Sequence, residues 1–378
     1  MREIREDSTP IIVRSDSPLR SVTITFLIRY FTVGGLERVV STLANEYTQA
    51  GLLVRIVVLE PGKRNALLTE LDPRVDVQMV HERGPGRVRR LRELTRDTIV
   101  HINFGDGRTH PWVRTCLFDR NVVVTYHNDY AHKRHKMTNR ADRIFAGRVQ
   151  EIVAVSRAAE RFCVEDVGIP SHRVEVIENA VPHPPASVTP ERGGATGLTA
   201  VAVANLYPHK NHETLIRGLG RAVRAGTDAR LVVLGDGPCL AALYKLAREE
   251  GVLERLEWCG AIWKREIMLP LVAQADVFVS ASRYEGMPLS VLEALGLGLP
   301  CVLSDITAHR ETAGDASVYF PADDPEALAD ALGRVAADAE TLTAMSAVSR
   351  ERSRLFAPAR QAGRYLKVYE RVLEGVRR

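Results

Sequence analysis

VTITFLIRYFTVGGLERVVSTLANEYTQAG, residues 22–51, decides the fold. Its opening, VTITFLIR, is a β-branched apolar run of strand type. The run stops at a loop containing Gly34-Gly35, and LERVVSTLANEYTQAG then keeps helical spacing up to Gly51. Strand, glycine loop, helix is the resulting unit. Working outward, further strands read in LVRIVVLE, in DTIVHINF near 97–104, in NVVVTYHND near 121–129 and in EIVAVS near 151–156. Strands that alternate with helical stretches predict a parallel sheet covered by helices.

At 378 residues the chain exceeds what one hydrophobic core supports, so two domains are expected. VPHPPASVTPERGGATG, residues 181–197, is rich in proline, glycine and polar residues and reads as the linker. The alternation then restarts in LTAVAVAN, the helix HETLIRGLGRAVRAG, ARLVVLGDGP, LEWCGA, ADVFVSAS and LPCVLSD. The expected division is a first domain over 1–181, a linker over 182–197 and a second domain over 198–358. ARQAGRYLKVYERVLEGV then forms a helix within 359–378 that is expected to cross back onto the first domain. Ligands of open parallel sheets bind beyond the carboxyl ends of the strands, so two doubly wound units facing each other predict a cleft between them.

Composition excludes several classes. Apolar residues make up 45% and charged residues 26%, the balance of a globular chain rather than a disordered one. MREIREDSTP lacks the apolar stretch of a signal peptide, and no apolar run approaches a spanning helix, so a cytosolic protein is expected. Cys116, Cys163, Cys239, Cys259 and Cys301 are scattered without a CxxC pair, which fits neither a zinc site nor a disulfide framework. Net charge is +4, but residues 1–181 carry 28 Lys+Arg against 23 Asp+Glu. Much of that excess lies in RGPGRVRRLRELTR, Arg83–Arg96, and HKRHK, His132–Lys136. Such clusters are either a solvated surface or an attraction for an anionic acceptor or the inner membrane face. No nucleic-acid partner is expected.

In SASRYEGMPLSVLEALGLG a strand ends at Ala281-Ser282, and Pro288 sits where the first position of a helix tolerates a missing N–H. Helix starts offer unpaired N–H groups and a positive dipole end, a suitable place for a diphosphate. Gly286, Met287, Pro288 and Leu289 border that place, between Glu285 and Glu293. The two glutamates are separated by up to about 12 Å, enough for one to take sugar hydroxyls and the other a ribose.

The E-x7-E spacing, the intervening GMP, the strand before it and LGLGLPCVLSD after it together resemble the donor-binding signature of retaining family 4 glycosyltransferases, an α/β class of GT-B fold with two Rossmann-like domains. The resemblance covers nearly the whole chain. It implies that Gly35, in GGLERV, lies by the donor phosphates and that His127, in VTYHND, faces the transferred sugar. VANLYPHKNHETLI resembles the phosphate clamp, with Lys210 at its lysine position; Asn205 stands where the pattern has arginine, so the clamp loses one charge. CGAIWKREI, 259–267, resembles the loop that brackets the nucleobase, which puts the base near Ile262. SDITAHRE departs from the usual glycine pair with Thr307, Ala308 and His309.

What the resemblance implies is sugar transfer from a nucleotide-diphosphate donor, UDP by default, to a glycan, glycolipid or small aglycone. Negative charge gathers on the departing diphosphate and must be met by cations or oriented N–H groups. No Asp-x-Asp triplet occurs, and neither a metal nor another cofactor is expected; Lys210 and the helix start take the metal's place. Retention implies attack from the leaving group's own face, with Glu285 orienting the sugar. A nucleotide-sugar epimerase and a non-catalytic nucleotide-sugar-binding module are the alternatives. A dinucleotide oxidoreductase is disfavoured, because neither Gly34-Gly35 nor GDGP completes a GxGxxG.

Overall fold

A computed structural model describes residues 11–60, 66–104, 111–128, 136–189 and 197–375. The chain divides into two compact units. Unit 1 takes the residues up to Pro182 and those from Phe356 on, and unit 2 takes His183–Leu355. His132, Lys133, Arg134 and His135 of the HKRHK cluster lie outside the described residues.

In unit 1, strands β1 (Thr23–Ile28), β2 (Val54–Val58), β3 (Asp76–Met79), β4 (Thr98–Asn103), β5 (Asn121–Tyr126), β6 (Glu151–Ala154) and β7 (Val174–Val176) form a parallel sheet in the order β3-β2-β1-β4-β5-β6-β7. The order reverses between β1 and β4, which makes their carboxyl ends the switch point. Helices α1 (Gly35–Gln49), α2 (Pro85–Leu94), α3 (Pro111–Cys116), α4 (Lys136–Ala146) and α5 (Arg157–Arg161) link the strands.

The last helix of the chain, α13 (Pro358–Glu374), belongs to this unit. Its Tyr365 and Tyr369, one turn apart, are fully buried. The Tyr369 hydroxyl lies 2.7 Å from His101 Nδ1, and His101 Nε2 lies 2.7 Å from Thr125 Oγ1, which meets Tyr365 Oη at 3.1 Å. Burial, with a smaller contribution from His127, holds His101 well below its ordinary pKa, so the ring is neutral. Further along α13, Arg371 binds Glu151 at 2.9 Å and Glu175 at 2.7 Å.

In unit 2, strands β8 (Leu198–Val203), β9 (Ala229–Leu234), β10 (Leu256–Gly260), β11 (Val277–Ser280), β12 (Cys301–Ser304) and β13 (Ser317–Phe320) form a second parallel sheet in the order β10-β9-β8-β11-β12-β13. Alternate residues of each strand enter opposite cores. Leu198, Ala200 and Ala202 of β8 pack with α6 (His212–Arg224), α7 (Leu240–Glu249) and α11 (Pro325–Ala337). Val201 and Val203 pack with α8 (Arg265–Ala273), α9 (Leu289–Gly296) and α10 (Thr307–Ala313). Burial on both faces is why these strands read as continuous apolar runs. Any Cβ at Gly218 of α6 would strike the Leu328 side chain, so this glycine lets α6 and α11 pack closely. The described part of the proline-rich segment is not a free linker: Val188 packs on the unit 2 core, and Pro184 approaches Gly296.

His212 opens α6 with 4% exposure and no hydrogen-bond partner on either ring nitrogen. Burial first, then the charges of Lys210 and His209, push its pKa down to about 4. A histidine with a depressed folded pKa contributes stability above its unfolded value of about 6.5 and loses it as pH falls. Unit 2 is therefore expected to lose about 2 kcal/mol from His212 alone between pH 7.5 and pH 5. Denaturant titrations at the two pH values check this, and His212→Leu removes that share of the loss. In unit 1, the Glu151 side chain is only 1% exposed, so Arg371→Ala leaves a buried charge unpaired and is expected to cost about 3–5 kcal/mol. Removing Arg89, whose pair with Glu93 is exposed, is expected to cost under about 0.5 kcal/mol in the same measurement.

Candidate functional site

The carboxyl ends of β8 and β11 meet where the strand order of unit 2 reverses. From the turn after β8, Lys210 Nζ donates to Glu285 Oε1, in the loop after β11. The same oxygen accepts from Ser282 Oγ at 2.8 Å. Burial alone would push Glu285 up, but the Lys210 ammonium, with His309 and the Ser282 hydroxyl adding to it, holds the carboxyl below its ordinary range. At 8% exposure Glu285 is a buried carboxylate rather than a solvated one.

The two loops that carry this pair are tied together. Arg283 Nη1 donates to Pro208 O at 2.6 Å, the Arg283 N–H to His209 O at 2.8 Å, and Arg283 Nε to Asp323 Oδ1 at 2.9 Å. Asn211, in the left-handed region at φ 55°, donates from Nδ2 to Ala322 O (2.7 Å) and Asp323 Oδ1 (3.1 Å). Asp323 therefore anchors both loops. Nothing in the motif reading pointed to Arg283, Asn211 or Asp323, because their partners lie 40 to 112 residues away in sequence.

Helix α9 begins at Leu289, so Pro288 is its cap residue rather than its first helical one, with φ −73° and ψ 118°. An extended ψ at residue 288 keeps it outside the helix. By position, the first N–H groups of α9 have no partner within the helix. Gly286, Met287 and Pro288 are buried in the approach to this start, and Leu289 is half-buried. Glu293, the fifth residue of α9, is 7% exposed and pairs with Arg265 Nε at 3.3 Å. Arg265 lies inside CGAIWKREI, whose Ile262 packs on the core beside α8 and α9. Asn205 is exposed. A Cβ at Gly235, in the turn after β9, would run into Ala204 O, so that glycine lets the GDGP turn lie directly on the segment before Asn205.

Behind the pair sits His309, fully buried in α10. Its Nδ1 lies 2.9 Å from Ser304 O and 3.0 Å from Ser304 Oγ. Among the described residues no three His, Cys, Asp or Glu side chains converge as a metal site.

Gly35 and His127 lie in unit 1, both at carboxyl ends of its strands. Gly34 caps α1 and Gly35 is its first residue. Glu37 turns back over this start and accepts from Thr32 Oγ1 at 3.1 Å. Its burial raises the carboxyl above the usual range, against backbone N–H groups of Glu37, Thr32 and Gly34 that lower it. His127 Nε2 donates to Asn103 Oδ1 at 2.8 Å, an amide oriented by its own bond from Nδ2 to His101 O at 3.0 Å. Burial pushes His127 down to about 3, so it presents a neutral ring.

Comparison with known proteins bears on both units. Residues 33–183 match the family model described as Glycosyltransferase Family 4, and residues 197–338 the one described as Glycosyl transferases group 1. The GDP-mannose-dependent alpha-(1-6)-phosphatidylinositol monomannoside mannosyltransferase of Mycobacterium tuberculosis is 30% identical over 162 residues, 40% of this chain and 42% of that one. The phosphatidylinositol N-acetylglucosaminyltransferase gpi3 subunit of Schizosaccharomyces pombe is 23% identical over 278 residues, 74% of this chain and 56% of that one. The matches thus span about half the length of these curated relatives. Among solved structures, Anabaena HepE in complex with UDP and glucose superposes with a TM-score of 0.78 at 16% identity, over 94% of this chain and 100% of that one. The two matched ranges, one in each unit, together make up more than three quarters of the chain, which is thus similar to the family 4 and group 1 glycosyltransferases and has the GT-B fold.

Proposed function

We propose that the chain moves a sugar from a nucleotide-diphosphate donor to an acceptor hydroxyl, with retention at the anomeric carbon and without a metal ion. The observation that carries this reading is the Lys210–Glu285 pair at the carboxyl ends of β8 and β11, in the loops that lead into α6 and α9. Lys210 meets the charge that gathers on the departing diphosphate, and the N–H groups at the start of α9 meet the rest. Asn205 adds a hydrogen-bond donor without charge, so more of the load falls on Lys210. Glu285 takes the sugar hydroxyls, and Glu293 with Arg265 faces the ribose and base, beside Ile262. Gly35 approaches the phosphates and His127, being neutral, offers the sugar a hydrogen bond rather than a charge. Retention is supported by the resemblance of EGMPLSVLE to the retaining signature, and the acceptor hydroxyl then attacks from the leaving group's own face.

A thermal-shift screen of UDP-, GDP-, ADP- and dTDP-sugars finds the donor, since a ligand that binds the folded state raises its apparent stability. With that donor, Lys210→Ala is expected to lower turnover by about 10²-fold or more, assayed below its melting point, which falls because Glu285 is left buried and unpaired. Unchanged turnover would contradict the clamp role. Isomerised donor in the absence of acceptor would instead favour an epimerase.

A membrane-borne acceptor is favoured by one region of unit 1. Residues 83–148 carry 15 Lys+Arg against 6 Asp+Glu. A groove there is lined by Arg92, Arg114 and Arg148 around Phe118 and Ile144, which are 61% and 62% exposed. Arg148 stacks over Phe118 at 4.2 Å. Exposed apolar side chains among cations suit an anionic lipid surface, where each cation contributes about 1 kcal/mol. Among the described residues no helix is long and apolar enough to cross a membrane. The chain is expected to sediment with vesicles containing phosphatidylglycerol and to leave them as salt rises. Recovery in the supernatant at moderate salt would point to a soluble acceptor.

A further inference from the structure

His309 stands where the family pattern has no histidine, and the transfer chemistry above leaves it without a task. Ser304 O, 2.9 Å from Nδ1, can only accept, so the ring proton sits on Nδ1. Ser304 Oγ is committed to Ser282 O at 2.6 Å. Nε2 is then a bare acceptor, and it is buried with no hydrogen-bond partner. A buried acceptor left unsatisfied costs about 1–3 kcal/mol, so an orphan of this kind calls for an explanation in the site's chemistry.

The groups around the ring identify that use. The charges that act on it are Glu285, from the loop after β11, and Lys210, from the turn after β8; Ser304, which meets its Nδ1, bonds to Ser282 O, and Ser282 Oγ in turn donates to Glu285. Ser304 of β12 and Tyr319 of β13 meet the residue with uncharged hydroxyls, Tyr319 Oη donating to His309 O at 3.4 Å. Glu293 of α9 is engaged by Arg265. Lys210 thus has two claims on it: the buried carboxylate it now neutralises and the diphosphate it is proposed to clamp. If it left Glu285 alone, a buried charge would stand uncompensated, which costs several kcal/mol.

We infer that His309 is a positioning residue that holds Glu285 while Lys210 serves the donor, by taking a proton on Nε2 and donating it to the carboxylate. The inference rests on the donor reading above. The hydrogen bond from Lys210 to Oε1 breaks and re-forms on a phosphate oxygen. A buffer acid gives up one proton, which forms an N–H bond on the Nε2 lone pair; that N–H then hydrogen-bonds the carboxylate, and the imidazolium balances the charge of Glu285. With Lys210 on Glu285, burial holds the imidazole below its ordinary pKa; Glu285 and the Ser304 carbonyl raise it and Lys210 lowers it. Withdrawing Lys210 removes a lowering influence and keeps the raising ones, so the pKa climbs and donor binding carries proton uptake.

Isothermal titration with UDP at pH 7, and with GDP, ADP and dTDP in turn if UDP gives no heat, tests this in buffers of different ionisation enthalpy. The wild-type chain is expected to take up about half to one proton per nucleotide bound. His309→Gln offers an amide N–H to the carboxylate without titrating, so it is expected to bind within about threefold of wild type with no uptake, whereas His309→Ala loses about tenfold in affinity. Melting curves confirm that each variant is folded. Buffer-independent heat in the wild type overturns the inference and leaves the donor reading standing. So does uptake that persists in His309→Gln, which would point to His212. Absence of heat with all four nucleotides overturns the donor reading itself.

Discussion

Lys210 and Glu285 are two opposite charges taken out of water by segments 75 residues apart, and the rest of unit 2 is arranged around holding them together. A buried pair of this kind is favourable only when its geometry is fixed and its remaining lone pairs are satisfied. Fixing falls to Arg283, Asn211 and Asp323, which lock the loop after β8 to the loop after β11 through side-chain and backbone bonds. Ser282 helps to satisfy Glu285, its hydroxyl donating a second hydrogen bond to the same carboxylate oxygen. Beneath them the strands are buried on both faces, which leaves the loops little freedom at their roots. Under the proposed function the same pairing holds the cation that would meet a leaving diphosphate, so folding and chemistry would draw on one lysine.

Unit 1 is built on a different principle. Its interior holds a chain of neutral groups, Tyr369, His101, Thr125 and Tyr365, through which α13 docks on the sheet. Asn103 bonds back to His101 and forward to His127, so the candidate sugar-facing histidine is oriented from the core outward. Burial keeps both histidines uncharged. Among the groups described at the strand ends, the buried ion pair thus lies in unit 2, while the histidines of unit 1 are neutral. At its own glycine loop, the carboxylate of Glu37 engages the start of α1, and burial raises this carboxyl above the usual range.

Most of the fold was legible because central strands carry continuous apolar runs, such as VTITFLIR and LTAVAVAN. The strands that escaped notice, β3, β7 and β13, are all sheet edges, three or four residues long and only partly buried, so no apolar run marks them. The glutamates of EGMPLSVLE were legible as a spacing, yet a spacing could not show that Glu285 is held by Lys210 or that Glu293 meets Arg265. Those are tertiary pairings between separate strand ends. His309 was visible only as a departure from a glycine pair. Its hydrogen bond to Ser304 and its idle nitrogen exist only once β12 and α10 are folded together.

A crystal structure of the chain with a bound nucleoside diphosphate would bear most directly on the dual role of Lys210. The expected result is Lys210 Nζ within about 3 Å of a phosphate oxygen at the start of α9, with Glu285 still buried and no longer bonded to it. A diphosphate bound elsewhere, with Lys210 unmoved on Glu285, would show that the pair is only structural and that the leaving group is met by other residues.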